Sequence, residues 1–217
     1  MTDRTVYPPL AEPPEPEGGW AWIQPFVRPA FIRLNRFVMI PLHRAGLGAW
    51  LATPVMGYML LLGVRGRKSG LVREIPLSYL VAEGSAWVLA GFGRSTEWYR
   101  NLLADPAVEL RLPGRRLACT AEEVLDPAVR ARMIPRLVRA TGLPGTMVVP
   151  SPWTTPDEEI LDAVPWVPLI RIRARNGSAI EAGADDPGGL GWVWRQAAVI
   201  AATFVSWRLV RRLLRRR

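Results

Sequence analysis

The feature that most constrains this chain is a series of short apolar segments separated by tight, glycine-containing turns between residues 57 and 124. "GYMLLLGVRG" is an apolar run bounded by glycines, and "LVREIPLSYLVAEG" alternates apolar and polar residues before a Glu-Gly turn. Such segments predict β-strands, and the short turns between them predict antiparallel hairpins. Parallel strands would need long crossover connections, so a βαβ sheet is disfavoured.

Further strands and two helices complete this pattern. "SAWVLAGFG", the two arms of "AVELRLPGRRLACTAEEV" and "WVPLIRIRAR" are predicted strands. "STEWYRNLLADP" predicts a helix capped by Ser95 or Thr96, and "DPAVRARMIPRLVRA" predicts a helix capped by Asp126 and kinked at Pro135. About six strands with inserted helices indicate an α+β fold, mainly antiparallel, in which helices cover a small β-barrel.

The flanks of the barrel differ in composition. Residues 1–19 are acidic and proline-rich, which predicts a disordered leader and is the wrong chemistry for a secretory signal peptide. Residues 20–56 predict two N-terminal helices, beginning near Pro29 and Pro41. This segment contains the aromatic residues Trp20, Trp22, Phe26 and Phe31. Either these side chains pack on the core, or they touch membrane or an apolar substrate. We expect the barrel domain at 57–183 and a linker with a C-terminal helix at 184–217.

The sequence offers few residues for direct chemistry. Cys119 and His43 are the only cysteine and the only histidine, which excludes an internal disulfide and multi-cysteine metal sites. No general acid–base pair, nucleophile elbow or metal cluster stands out. We therefore predict no catalytic side chain and no metal ligand, so that an enzyme built on this sequence would rely on a cofactor.

Positive charge is concentrated at the C-terminus. The formal net charge is +9, and the last ten residues, "RLVRRLLRRR", contain six arginines. Without these six, 22 basic residues face 19 acidic ones, a net charge of +3. The tail therefore predicts an anionic surface as partner. The body lacks a zinc finger, an RNP motif and interleaved basic and aromatic residues, so a membrane is favoured over nucleic acid.

The C-terminal segment predicts a helix on the membrane surface. Its uninterrupted apolar stretch, Ala197 to Trp207, would extend for roughly 17 Å as a helix, short of the roughly 30 Å hydrocarbon core. One face collects arginines, namely Arg208, Arg211, Arg212 and Arg215, and another collects Leu209, Val210, Leu213 and Leu214. This amphipathic pattern favours a helix lying in the interface. Packing on a partner subunit and spanning the membrane are the alternatives.

Lys68 is the only lysine among 28 basic residues, and it lies in "GVRGRKSG". This stretch misses the nucleotide-binding loop pattern because Arg67 separates Gly66 from Lys68. Two glycines, a serine hydroxyl and three cations around one strand-to-strand turn can still bind an anion. The alternative is a solvated cluster of charges.

Two motifs in combination resemble a known family. "GRKSGLVREIPL", followed by "LAGFGRSTEWYRNLLADP" and then by a "GRR" hairpin, resembles the deazaflavin-dependent nitroreductases, also known as F420H2-dependent quinone reductases. The resemblance covers roughly residues 41 to 172. It implies a split β-barrel of the FMN-binding-like type, the deazaflavin coenzyme F420 as cofactor, and an origin in mycobacteria or related actinobacteria.

The resemblance also implies roles for individual residues. Four residues of the turn would hold the coenzyme phosphate with help from Arg73, and these are Arg67, Lys68, Ser69 and Gly70. Residues from two strands and a helix would line or close the deazaflavin site, namely Pro76, Leu77, Ala90, Gly91, Phe92, Trp98 and Asn101. The family's usual His-Pro before the tryptophan is replaced by Ser95-Thr96-Glu97. The implied reaction is hydride transfer to a quinone or a nitro compound.

Three other functions remain as alternatives. A split-barrel reductase could use FMN, a membrane-associated protein could carry a cofactor or lipid without catalysis, and the arginine tail could bind nucleic acid. For the favoured function we expect a cytoplasmic protein, peripheral on the inner face of the cell membrane. A homodimer is a candidate assembly for this fold.

Overall fold

The structure, a computed structural model, describes residues 29–30 and 32–214, with the backbone alone for 209, 210 and 212–214. Six antiparallel strands form a closed barrel in the order β1-β2-β3-β6-β5-β4. The strands are β1 Met59–Arg65, β2 Val72–Ala82, β3 Ser85–Leu89, β4 Ala107–Leu112, β5 Arg115–Val124 and β6 Leu169–Ala174. The predicted α+β antiparallel barrel with flanking helices is confirmed.

The helices flank the barrel as predicted, with differences in detail. They are α1 Ile40–Arg44, α2 Gly48–Leu51, α3 Glu97–Ala104, α4 Pro127–Ala140, α5 Asp157–Ala163 and α6 Gly191–Leu214. A π-helical turn, Asn35–Met39, precedes α1, and a 3₁₀ turn, Leu143–Met147, follows α4. The second N-terminal helix, predicted to begin near Pro41, is divided into α1 and α2, because Gly46 between them adopts a positive φ of 78°.

Two helix starts test the predicted caps. The Asp126 carboxylate accepts hydrogen bonds from the backbone N–H groups of Ala128 and Val129, as predicted. At α3 the N-cap residue is Thr96, but its side chain makes no capping bond, because its hydroxyl donates to the carbonyl of Gly93. The predicted side-chain cap of α3 is therefore wrong. The predicted leader at 1–19 and the aromatic residues Trp20, Trp22, Phe26 and Phe31 lie outside the described residues.

Strand alternation fills the barrel with apolar side chains. In β2 the residues Ile75, Leu77, Tyr79 and Val81 belong to the interior cluster or pack against it, while Leu80 packs on the outer side. This outer cluster joins the barrel wall to α4 and α5 through residues such as Trp87, Met133 and Ile160. The only cysteine, Cys119, lies inside the barrel, where burial raises the pKa of its thiol to about 11.

A buried carboxylate ties the C-terminal linker to the barrel. Asp186 is 1% exposed and accepts a hydrogen bond from the Tyr79 hydroxyl at 2.5 Å. Its other oxygen accepts from the backbone N–H of Gly183 at 2.6 Å and pairs with the Arg115 guanidinium. Burial and the carboxylate raise the pKa of Tyr79 above its usual range. The linker is therefore fixed at the end of the barrel where β4 turns into β5.

The C-terminal helix α6 is attached to the body only near its start. The Gln196 side-chain amide donates to the carbonyl of Trp50, and Arg195 pairs with Asp185. From residue 197 to 208 every side chain is exposed, and the large apolar ones are Val199, Ile200, Phe204, Val205 and Trp207. Within the described residues, no helix combines the length and the apolar character required to cross a bilayer.

Candidate functional site

The turn between β1 and β2 is shaped by two glycines. The N–H of Gly66 donates to the carbonyl of Leu71, and the N–H of Gly70 donates to the carbonyl of Gly66 at 2.7 Å. Gly70 has a φ of 67°, which favours glycine, and a Cβ on Gly66 would meet the Ser69 hydroxyl at 2.7 Å. The Arg65 guanidinium closes the turn by donating to the carbonyl of Gly70 at 3.0 Å. Residues 66–71 therefore form a compact turn with its cations on the outside.

Helix α3 holds this turn through Asn101. The Asn101 amide oxygen accepts one hydrogen bond from the backbone N–H of Arg67 at 3.2 Å and another from its guanidinium at 2.7 Å. The same guanidinium donates to the Glu97 carboxylate at 2.7 Å. Asn101 is 9% exposed, so both of its accepted bonds lie in a largely buried setting. Arg67 and Asn101, both predicted site residues, are in direct contact and fix the turn to the helix.

The remaining polar groups of the turn have no such partners. Lys68, Ser69 and Arg73 are exposed, and their side chains make no hydrogen bond or ion pair to any other residue that the structure describes. The hydrogen bond from Arg67 lowers the pKa of Glu97, and the nearby charges of Arg100 and Lys68 lower it further. An ammonium, a hydroxyl and a guanidinium thus surround a fixed turn, which is a donor set suited to a phosphate.

The strand that follows the turn has an open edge. β2 pairs with β3 only from Tyr79↔Val88 to Ala82↔Ser85, because β3 ends at Leu89. On that side, residues 72–78 have no strand partner in the described part of the chain, while their other side pairs with β1. The first half of β2 therefore has an unpaired edge on that side, although the six strands close into a barrel. This unpaired edge begins at the turn that carries Lys68.

The predicted ring-lining residues of β2 lie on opposite faces. Leu77 and Ile75 pack against the interior cluster, and Arg73 shares their side of the strand by alternation. Pro76 is buried on the outer side and pairs with Leu61 of β1. The structure thus brings Leu77 and Arg73 to one face and does not bring the Pro76 side chain to it.

The segment after β3, residues 90–96, connects this strand to helix α3. Ala90 is buried and donates its N–H to the carbonyl of Pro168, whereas Gly91 and Phe92 are exposed. A Cβ placed on Gly91 would meet nothing within 4 Å. Trp98 of α3 is half-buried against the interior cluster that also contains Ala90. Leu77, Ala90 and Trp98 therefore all belong to or pack against the interior cluster, and there is open space at the Gly91 Cβ position.

Several residues of this region were not found by sequence reasoning. Glu123 of β5 accepts a hydrogen bond from the Tyr99 hydroxyl at 2.7 Å and another from Arg94 at 2.9 Å, which anchors the 90–96 segment and α3 to the barrel. Desolvation and the bond to Glu123 raise the pKa of Tyr99. Arg65 and Glu97 also act on the turn. The only sequence signals for their roles were the position of Arg65 at the end of a strand and that of Glu97 in the first turn of a helix.

The residues of this region are arranged to bind and position a ligand rather than to act as a general acid or base. His43 is half-buried, and its ring nitrogens face the carbonyl oxygens of Met39 and Met59, so it acts as a structural residue. Among the described residues, no group of three or more histidine, cysteine or acidic side chains could hold a metal ion.

The chain matches known proteins over its barrel. Residues 43–143 match the family model described as F420H(2)-dependent quinone reductase. A solved F420-H2-dependent reductase is 22% identical and covers 53% of this chain and 93% of its own, with a TM-score of 0.38. A conserved hypothetical protein from Mycobacterium tuberculosis is 17% identical and covers 58% of this chain and 84% of its own, with a TM-score of 0.40.

A third solved structure, a domain-swapped dimer, is 22% identical and covers 69% of this chain and 98% of its own, with a TM-score of 0.42. The fold assignment itself rests on the strand order of the barrel. The match over residues 43–143 contains the Lys68 turn, the open edge of β2 and helix α3. Over residues 43–143, a little under half of the chain, this match confirms the predicted resemblance to that family and the predicted class of enzyme, an oxidoreductase.

Proposed function

We propose that this protein transfers a hydride from reduced coenzyme F420 to an electron-poor acceptor, a quinone or a nitro compound. The observation that carries the proposal is the fixed turn at the start of the unpaired β2 edge, where the Lys68 ammonium has no partner among the described residues. The family match over the same residues supports the cofactor class.

The donor set fits the coenzyme. Its phosphodiester needs cationic and hydroxyl donors, and Lys68, Ser69 and Arg73 are exposed and have no partner among the described residues. In this proposal, the Arg67 bonds to Asn101 and Glu97 hold the backbone of the turn in place for those donors. Arg67 acts mainly as a positioning residue, because its guanidinium is already engaged.

The apolar part of the site would hold the ring and exclude water. Leu77, Ala90 and Trp98 supply apolar surface, and the backbone of Gly91 and Phe92 would lie beside the ring. The bound coenzyme would supply the hydride. The chain would orient it and keep the site dry, which needs no acid–base side chain for that step. Pro76 would contribute through its backbone, since its side chain lies on the outer side of β2.

A coenzyme titration followed by turnover tests this proposal. The purified protein is titrated with reduced F420, and menadione and a nitroimidazole are then added in separate reactions. We expect saturable binding and acceptor-dependent oxidation of the coenzyme, measured by its absorbance. Binding of FMN with no binding of F420 would favour the flavin alternative. Binding without oxidation by either acceptor would favour a carrier of the cofactor.

We also propose that helix α6 attaches the protein to an anionic membrane surface, on the inner face of the cell membrane. The helix exposes Val199, Ile200, Phe204 and Trp207, and the guanidinium groups of Arg208 and Arg211 lie over Phe204 and Trp207 at 5.4 and 4.6 Å from the ring centroids. Exposed apolar side chains followed by arginines suit an interface with anionic lipid. The arginine-rich face at Arg212 and Arg215 lies beyond the described side chains.

Vesicle sedimentation with and without residues 189–217 tests this attachment. We expect the full chain to sediment with vesicles that contain phosphatidylglycerol and the truncated chain to stay in solution. Equal sedimentation of both chains would contradict the proposal. Light scattering coupled to size exclusion, on the same two samples, would decide between a monomer and the proposed homodimer.

A further inference from the structure

A second basic site lies at the end of the barrel opposite the Lys68 turn. A cavity of about 250 Å³ is lined by the α1–α2 connection and the hairpin between β4 and β5. Because β1 and β4 are antiparallel and Leu61 is opposite Arg111, this hairpin lies near the start of β1, whereas the Lys68 turn follows its end. Four arginines line the cavity, and no acidic residue does; they are Arg44, Arg111, Arg115 and Arg116.

The charges around this cavity are not balanced. Glu74 is the partner of two guanidinium groups, Arg44 at 2.6 Å and Arg111 at 3.0 Å. Arg116 lies 3.9 Å from Glu109, and its side chain is 63% exposed, so this pair neutralises little of its charge. One carboxylate for two guanidinium groups, together with a weakly paired third, leaves the cavity positively charged.

One buried donor of the cavity has no partner. Arg111 is 15% exposed at its side chain, and its Nε–H is buried without a hydrogen-bond partner among the described residues. A buried, unpartnered donor on a charged group is costly unless a ligand or water accepts its hydrogen bond. The Arg115 guanidinium is held in place by an ion pair with Asp186 and by a hydrogen bond to the carbonyl of Glu181. The cavity thus presents guanidinium groups that are held in place, and one of them, Arg111, keeps an N–H group without an acceptor among the described residues.

The cavity is also close to the exposed apolar surface. Its wall includes Gly46, Gly48 and Ala49, and the next residue, Trp50, is exposed and contacts α6 through its carbonyl. From these observations we infer that the cavity is a binding site for a phosphate group, separate from the Lys68 turn. Guanidinium forks match phosphate oxygens, and the volume admits a phosphate or a diphosphate. The phosphate could belong to a lipid headgroup or to a soluble compound.

Calorimetry with inorganic pyrophosphate at constant ionic strength tests the site on the full chain. The variants are Arg111→Gln and Arg116→Gln, with Arg173→Gln as the matched control. Arg173 is on β6, away from the cavity, and is similarly exposed, at 56%. Loss of one charge-assisted hydrogen bond should weaken binding by roughly tenfold in the Arg111 variant and by about threefold to tenfold in the Arg116 variant. The Arg173 variant should bind like the wild type.

Lys68→Ala separates this site from the proposed coenzyme turn. We expect this variant to keep the pyrophosphate binding that Arg111→Gln and Arg116→Gln weaken, within about twofold, because Lys68 is at the other end of the barrel. Any additional pyrophosphate binding at the Lys68 turn itself should be lost. If pyrophosphate binding is lost in Lys68→Ala and kept in the Arg111 and Arg116 variants, the inference is wrong. An equal loss of pyrophosphate affinity in Arg173→Gln would also overturn it. The inference also fails if the wild type does not bind pyrophosphate and its binding to vesicles does not depend on Arg116. Melting temperatures identify a variant that fails to fold. If Arg111→Gln fails to fold, Arg116→Gln still tests the site, because Arg116 is exposed.

Vesicles identify the source of the phosphate. Wild type and Arg116→Gln are compared on phosphatidylcholine vesicles with and without phosphatidic acid. A preference for phosphatidic acid that is lost in Arg116→Gln assigns the cavity to a lipid headgroup. A preference that persists, combined with loss of pyrophosphate binding, assigns it to a soluble phosphate compound.

Discussion

The two basic turns at opposite ends of the β1–β4 pair differ in how their charges are held. At the turn of residues 66–71, Arg67 and the preceding Arg65 bond to a carbonyl, an amide and a carboxylate, and the ammonium of Lys68 has no partner among the described residues. In the hairpin at Pro113-Gly114, Arg115 is held by the buried Asp186. The difference teaches that Arg67 and Arg115 are already engaged in fixing structure, so that the proposed binding roles fall to neighbouring groups with fewer partners.

The largest expected effect on stability comes from removing the buried Asp186 carboxylate beside the β4–β5 hairpin. Asp186→Ala would leave Arg115 and the buried Tyr79 hydroxyl without their common acceptor. Removing one partner of such a buried network should lower the free energy of unfolding by about 3–5 kcal/mol. Denaturant unfolding followed by tryptophan fluorescence measures the change. Asp186→Asn, which keeps an acceptor oxygen, should lose less, and a loss below about 1 kcal/mol in the alanine variant would show that the network is not structural.

A smaller effect is expected from releasing the Lys68 turn. Asn101→Ala removes the acceptor of both Arg67 bonds and leaves a partly buried N–H unpaired. The free energy of unfolding should fall by about 1–3 kcal/mol. The F420 dissociation constant should rise as well, because Lys68 and Ser69 lose their fixed positions. Unfolding curves and a fluorescence titration measure the two effects. An unchanged dissociation constant would mean that α3 does not position the turn.

The smallest effect concerns the charge beside the turn. Glu97→Gln removes a negative charge near Lys68 while Asn101 still holds Arg67. F420 binding should tighten by about twofold, since exposed charges interact weakly. Weaker binding in this variant would instead assign Glu97 a direct role in ordering the turn. Titrations at low and high salt measure the difference, which should disappear at high salt.

The pH dependence follows from the lowered pKa of Glu97. The carboxylate is more acidic in the folded protein than in the unfolded chain, so its ion pair with Arg67 stabilises the fold above the unfolded pKa of about 4.3. This stabilisation is lost as the pH falls through the lower, folded pKa. Between pH 5 and 8 the contribution of Glu97 should therefore be constant. Unfolding of wild type and Glu97→Gln across this range should show a constant difference.

Much of the barrel could be predicted because its strands alternate strictly. Ile75 to Val81 has inward apolar residues at every second position, and the turns at Glu83-Gly84 and Pro113-Gly114 fix the hairpins. Helix α5 was missed, since its acidic start at Asp157 follows a proline-rich loop and resembles a solvated segment. The end of β3 at Leu89, which leaves the first half of β2 unpaired on one side, has no local sequence signal, since the apolar run continues into Ala90.

The candidate site was only partly predictable for the same reason. The two motifs indicated which residues belong together, but the partners of Arg67 are 30 and 34 residues away in sequence, at Glu97 and Asn101. These contacts form only because α3 packs on the end of the barrel. Tyr79 and Asp186, which are 107 residues apart, could not be paired by any local pattern. Sequence alone thus identified Lys68 as unusual but could not show that its arginine neighbours were already engaged.

The central claim is that Lys68 anchors the deazaflavin coenzyme through its phosphate. Titration of wild type and Lys68→Ala with F420, at one salt concentration, tests it most directly. Loss of a charge-assisted contact predicts a dissociation constant raised by roughly tenfold or more, with an unchanged melting temperature because Lys68 has no partner to lose in the described fold. An unchanged dissociation constant would contradict the account and return Lys68 to a solvated turn.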